Sequence, residues 1–209
     1  MIQGKRNPFV AREGIPFLLL AALACVLSLR FFDIFLAVTF AFLFFVLYLL
    51  FRDPPRAIPP VPLGVVSPVD GYVLGVEQIG DGAVQGQAHC IRIAIDSLGA
   101  YTARAPIEGK IMDLRSAAAR TTVDYQKHAL WIQTDEGDDV VLQFKGYRFG
   151  LAPRGWIRFG ERVGQGQRCA YLRLARIAEL HLPIASTVLV QPGQAVVAGS
   201  DLIGKVPHP

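Results

Sequence analysis

The sequence predicts a mainly β protein: an N-terminal transmembrane helical hairpin followed by a pseudo-symmetric β-sandwich or barrel. Three observations predict it. Two uncharged apolar runs, residues 15–29 and 34–51, stand near the start of a 209-residue chain that is 52% hydrophobic. Beyond residue 65 the apolar residues fall in short β-rich runs separated by glycine-bearing turns. Two turn motifs in that region each occur twice.

Taken in order, residues 1–14 form a basic lead-in containing Lys5, Arg6 and Arg12. Each apolar run is close to the ~17–25 helical residues needed to cross a bilayer core at ~1.5 Å rise per residue. The interruption Arg30-Phe31-Phe32-Asp33 fits a tight turn, so residues 15–51 read as one hairpin. A cleavable signal would need small residues after its apolar stretch, and here more hydrophobics follow instead. Arg52 and Arg56 flank the far end, as Lys5, Arg6 and Arg12 flank the near end. By the positive-inside rule both ends lie in the cytoplasm, with the rest of the chain on that side of the membrane.

Residues 52–64 are proline-dense and form a stiff linker rather than helix or central strand. Residues 65–209 then suffice for one core, with strands expected around 90–95, 130–134, 140–144 and 187–190. Ser67-Pro68-Val69-Asp70-Gly71 is echoed by Ala105-Pro106-Ile107-Glu108-Gly109. Gly160-x-x-Val163-x-x-Gly166 is echoed by Gly193-x-x-Val196-x-x-Gly199. Repeated turn-and-strand units of this kind suit two intertwined halves. Cys25, Cys90 and Cys169 show neither disulfide nor metal spacing, in keeping with a reducing compartment. The net charge of +4 comes from scattered basic residues, which favours an anionic lipid surface as partner and excludes nucleic acid.

Further blocks carry a resemblance. Arg12-Glu13-Gly14-Ile15-Pro16-Phe17, the hairpin, Phe51-Arg52-Asp53-Pro54, Ser67-Pro68-Val69-Asp70-Gly71, Arg104-Ala105-Pro106 with Gly109, and Leu182-Pro183 occur in one order. In that order and spacing the chain resembles the short bacterial phosphatidylserine decarboxylases over almost its whole length. The resemblance implies a membrane-associated lyase of phosphatidylethanolamine synthesis. Its proenzyme cuts itself at a Gly-Ser bond, and the serine becomes a pyruvoyl group that holds the substrate amine as a Schiff base.

Carried over residue by residue, the resemblance places the processing aspartate on Asp70 and puts Tyr101 where the family has histidine. A phenol, with an ordinary pKa of about 10, is a poor base at neutral pH. The Gly-Ser pair falls on Ala175 and Arg176, and arginine has neither an oxygen nucleophile nor a β-leaving group. An Asn-Glu-Arg signature falls on Tyr125-Gln126-Lys127. The resemblance therefore implies a degenerate site: no cofactor is expected, and Arg104 and Arg176 are expected to contact lipid. In a shifted register Ser186, within Ile184-Ala185-Ser186-Thr187-Val188, would be the nucleophile and the source of a pyruvoyl. The partners implied are membrane phospholipid, phosphatidylserine in particular, and a second copy or an active paralogue. His89, His128, His181 and His208 lack ligand-like spacing, so no metal is expected. Lys110 could suggest the modified lysine of a carrier domain, which keeps a carrier or adaptor function as an alternative, although the usual carrier neighbours are missing.

Overall fold

The computed structural model describes residues 9–80, 86–112, 129–147 and 151–207. It divides into two compact units, one holding the residues up to Pro55 with Ser97–Tyr101, the other Arg56–Asp96 with Thr102–Pro209.

The first unit contains a short 3-10 turn, Arg12–Gly14, running into α1 (Ile15–Phe31), and α2 (Ile34–Leu50). Pro16 sits in the first turn of α1, where its missing N–H costs nothing. Asp33 starts α2 by accepting from the Ile34 N–H. The helices approach through small residues: Ala21, Ser28 and Ala37 are buried, and the Cys25 thiol donates to the Ala37 carbonyl at 3.4 Å. The large side chains point the other way, with Leu19, Leu20, Phe35 and Phe42 all exposed. Counted from Arg12, the first helix is long and apolar enough to cross a membrane; Ile34–Leu50 is shorter. Residues 97–101 cluster with the helices. The cause is local bonding. The Tyr101 N–H donates to the Arg52 carbonyl, the Arg52 guanidinium donates to the Leu98 carbonyl, and the Tyr101 ring meets Phe51 edge-on at 4.8 Å.

The second unit is all β among its described residues. Its strands are β1 (Gly64–Val66), β2 (Gly71–Ile79), β3 (Ala88–Ile95), β4 (Thr102–Arg104), β5 (Gly109–Met112), β6 (Leu130–Gln133) and β7 (Asp139–Lys145). There follow β8 (Arg154–Gly155), β9 (Arg162–Val163), β10 (Arg168–Tyr171), β11 (Ile177–Pro183), β12 (Thr187–Val188), β13 (Ala195–Val196) and β14 (Leu202–Lys205). An eight-stranded antiparallel sheet has the order β13-β2-β3-β11-β7-β6-β5-β9, and two three-stranded sheets read β1-β14-β12 and β4-β10-β8.

The large sheet reads alike from either end and the two small sheets are counterparts of one another, and the sequence repeats mark the symmetry. Gly71 pairs with Val196 as Gly109 pairs with Val163. The Val66 N–H donates to the Pro106 carbonyl while the Arg104 N–H donates to the Pro68 carbonyl, each at 2.8 Å. Gly199 donates to Ser67 as Gly166 donates to Ala105. Gly166 and Gly199 both hold left-handed φ, 69° and 71°, where a side chain would be strained. One half, β4 to β10, is continuous in sequence; the other is split around it, and β11 and β7 lie side by side at the centre.

The core lies on one face of the large sheet. Alternation along β11 turns Ala178, Leu180 and Leu182 inward, against Ile91 and Ile93 of β3 and Leu142 and Phe144 of β7. Val65 and Ala103 close the same core from the small sheets. Burying each large aliphatic side chain stabilises the fold by about 1.5–3 kcal/mol.

Candidate functional site

Asp70 ends the turn that begins at Ser67, and the turn is fixed before its carboxylate is considered. The Ser67 hydroxyl donates to the Val69 carbonyl at 2.7 Å, and the Ser67 N–H donates to the Asp201 carbonyl. The Asp70 carboxylate is then held from two sides. Oδ1 accepts the Ala198 N–H at 2.7 Å, and Oδ2 accepts from the Arg56 guanidinium at 2.6 Å. Ala198 immediately precedes Gly199, so the second repeat supplies a donor for the acid of the first. The symmetry mate of Asp70 is Glu108, whose side chain is 67% exposed. The pseudo-symmetric fold thus offers two equivalent turns, and only one presents a buried acid.

Ala175 and Arg176 lie just before β11. Leu172 to Ala175 form a turn closed by the Ala175 N–H to the Leu172 carbonyl, with Arg173 in the left-handed region at φ 52°. The Arg176 N–H donates to the Lys145 carbonyl at 3.2 Å, and its carbonyl accepts the Ile95 N–H at 2.8 Å. The next N–H along, that of Asp96, donates to the Asp70 carbonyl at 2.9 Å. Consecutive amides at the end of β3 therefore bind Arg176 on one side and Asp70 on the other. The structure brings these two positions together although they are far apart in sequence. The Arg176 side chain is exposed and Ala175 is buried.

Ser186 is not brought there. It follows the opposite end of β11, in a turn closed by its N–H to the Pro183 carbonyl. The seven residues of β11 separate that end from Arg176, about 20 Å of extended chain. Ser186 is buried, and its hydroxyl has no hydrogen-bond partner among the described residues. Tyr101 belongs to the helical unit, where its hydroxyl donates to the Glu13 carboxylate at 2.9 Å.

The expectation that Arg104 contacts lipid is corrected. Arg104 is 2% exposed, and its guanidinium donates to the Gly166 carbonyl at 3.1 Å. Its side chain fills the space over Gly199, where an added Cβ would lie 2.6 Å from the arginine Cδ. It is a core cation joining the two repeats. Lys110 is exposed on β5, and half-buried His89 lies 3.1 Å through Nε2 from the Ile184 carbonyl. His128, His208 and Tyr125-Gln126-Lys127 lie outside the described residues. Sequence reasoning missed Arg56 as the partner of Asp70. Its only signal was position, a basic residue in a stiff linker a few residues before the turn.

No protein-family model matches the chain. The phosphatidylserine decarboxylase proenzyme of Burkholderia pseudomallei (strain 1106a) is 30% identical over 214 residues, covering 97% of this chain and 97% of that protein. The chain belongs to the phosphatidylserine decarboxylase family. The proenzyme of Nitrosomonas europaea is 28% identical over 211 residues, covering 95% of this chain and 96% of its own. A solved structure, glucose permease IIA from Mycoplasma capricolum, matches at 20% identity and TM-score 0.46 over 68% of this chain and 94% of that one, too distant to bear on the fold. Membership of the decarboxylase family places the chain in phospholipid metabolism, with a phospholipid as the family's substrate. The family is pyruvoyl-dependent in general.

Proposed function

We propose that this chain is a membrane-anchored phosphatidylserine decarboxylase-family protein that has lost pyruvoyl-dependent catalysis and acts by binding anionic phospholipid. One observation carries the reading: the residue beside Asp70, across the end of β3, is Arg176. A pyruvoyl precursor needs a hydroxyl to attack the preceding carbonyl and an oxygen on Cβ to leave by elimination, and arginine offers neither. The surroundings support this. Both backbone groups of Arg176 bond to neighbouring strands, and Asp70 bonds to Arg56 and the Ala198 N–H. Ser186 lies at the end of β11 opposite Arg176, which counts against Ser186 as nucleophile. The apolar hairpin with basic flanks supports anchoring in a bacterial inner membrane with the β domain on the cytoplasmic face. Residues 1–14, 15–51, 52–64 and 65–209 are then lead-in, anchor, linker and decarboxylase-like domain.

Intact-mass spectrometry of the membrane-extracted chain tests the loss of processing. A single full-length species, with no carbon dioxide released from phosphatidylserine, is expected. A fragment beginning with a blocked pyruvoyl terminus at residue 176 or 186 would overturn the reading.

The exposed guanidinium of Arg176 suits a phosphate or carboxylate of phosphatidylserine. Arg176→Ala in the detergent-solubilised chain is expected to weaken retention of short-chain phosphatidylserine about fivefold, from about 1 kcal/mol per basic residue at an anionic surface. Equal retention by variant and wild type would make Arg176 an ordinary surface charge. The same intact chain also serves to detect a second copy or an active paralogue, by co-purification from membranes.

A further inference from the structure

The large sheet has a second face, turned away from the core, and its centre carries chemistry that the family reading does not use. Alternation along β11 places Glu179 and His181 on that face. Cys90 of β3 pairs directly with His181, and Arg92 pairs with Glu179. Cys90, Glu179 and His181 are 6%, 8% and 7% exposed, which is unusual for three chemically active side chains outside the core. Their sulfur, oxygen and nitrogen ligand atoms all lie within 4.8 Å of one another, and His181 Nε2 is 3.9 Å from Glu179 Oε2.

The histidine is the telling member. Neither of its ring nitrogens has a hydrogen-bond partner among the described residues. An imidazole buried in that condition loses its water without replacement, at a cost of about 1–3 kcal/mol. A bound cation would reverse that cost. Among the described residues, the charged and polar groups near the cluster include Glu77 of β2, Arg92 of β3, Gln143 and Lys145 of β7, and Asp138 and Asp139, which line the cleft that reaches His181. Lys145 bonds to Glu179 at 2.6 Å, but its side chain is 43% exposed and free to swing into solvent.

We propose that Cys90, Glu179 and His181 form a binding site for a divalent transition metal of the zinc class. One thiolate, one imidazole and one carboxylate make a mixed S, N, O set suited to zinc, with a fourth position left for water. Bonds of about 2.0–2.3 Å to a tetrahedral ion set the ligand atoms about 3.3–3.8 Å apart. Side-chain rotation of roughly 1 Å closes the set to that size. A cleft of ≈ 350 Å³ lined by Val141, His181, Pro183 and Asp139 reaches the histidine and provides the entry path and the room for water. Binding converts the Cys90 thiol to thiolate, and its proton passes to solvent. The sequence reading expected no metal, because Cys90 and His181 have no ligand spacing until β3 and β11 pair.

Cobalt titration of the full chain in detergent tests the site. One equivalent of Co²⁺ is expected to produce a thiolate-to-cobalt charge-transfer band, which Zn²⁺ abolishes. Cys90→Ser should lose the band, and His181→Ala should weaken binding by more than the about 10–100-fold typical of losing an outer-shell partner. Lys145→Gln keeps all three donors and removes the cation competing for Glu179, so it should bind Co²⁺ severalfold more tightly. No band in the wild type, wild-type affinity in His181→Ala, or unchanged or weaker binding in Lys145→Gln would each overturn the proposal. None of these readouts depends on whether the chain processes itself.

Discussion

Gly71→Ala is expected to prevent folding of the β unit or to lower its melting temperature by about 10 °C. A Cβ at Gly71 would stand 1.8 Å from the Ala94 carbonyl oxygen and 2.9 Å from its carbon. The obstruction is backbone of the adjacent strand, which cannot rotate aside as a side chain could. Small-to-large changes in adaptable cores cost about 1–3 kcal/mol, and a fixed obstacle puts this one at or above that range. At about 2–4 °C per kcal/mol for a unit of this size, the shift is large and readable. The symmetry mate Gly109 meets the Gln133 carbonyl oxygen at 2.3 Å, so Gly109→Ala should behave alike. Gly75, within β2, has nothing within 4 Å of its added Cβ, and Gly75→Ala should melt within a few degrees of wild type. Equal melting of Gly71→Ala and wild type would show that β2 and β3 do not pair in the described register.

Arg56→Ala is the second large effect. The Arg56 and Asp70 side chains are only 21% and 12% exposed, so the pair is mostly removed from water. Removing the arginine leaves a mostly buried carboxylate that keeps the Ala198 N–H but loses the Arg56 guanidinium. Breaking a fully buried pair from one side costs about 3–5 kcal/mol, and the residual exposure here puts this pair at or below the lower end. Chemical denaturation should place Arg56→Ala about 2–3 kcal/mol below wild type. The double variant Arg56→Ala with Asp70→Asn should recover part of that loss, since the remaining group is neutral. If the single variant lost nothing, the pair would be a surface contact that contributes nothing to the shape of the turn at Asp70.

Much of the fold was legible because its determinants are local. Uncharged runs, a proline-dense spacer and glycines at turns with positive φ report on their own surroundings. The repeated Pro-x-acid-Gly turns even disclosed the pseudo-symmetry, because each must meet the other repeat's backbone at the same place. What failed to show was anything created by strand pairing. Arg104 is expected from the sequence to contact lipid, since an arginine in sequence carries no sign that Gly166 and Gly199 will close over it. The adjacency of Asp70 and Arg176 arises from two amides at the end of β3. Cys90 and His181 become neighbours only when β11 joins β3. The alternation of Glu179 and His181 within an apolar strand was the one visible hint, a polar stripe on the face opposite the core.

The embedding of one half of the β domain inside the other has a consequence for synthesis. β3 pairs with β2 and β11, and β11 leaves the ribosome about 80 residues after β3 does. At roughly 5–20 residues per second, the first half waits on the order of several seconds for its central strand, while the continuous half, β4 to β10, can close on itself. During that interval the long edge of β3 is open to any extended chain. Nascent copies translated side by side on one messenger are therefore most at risk of exchanging β11, and a strand-swapped dimer is the misassembly this topology favours.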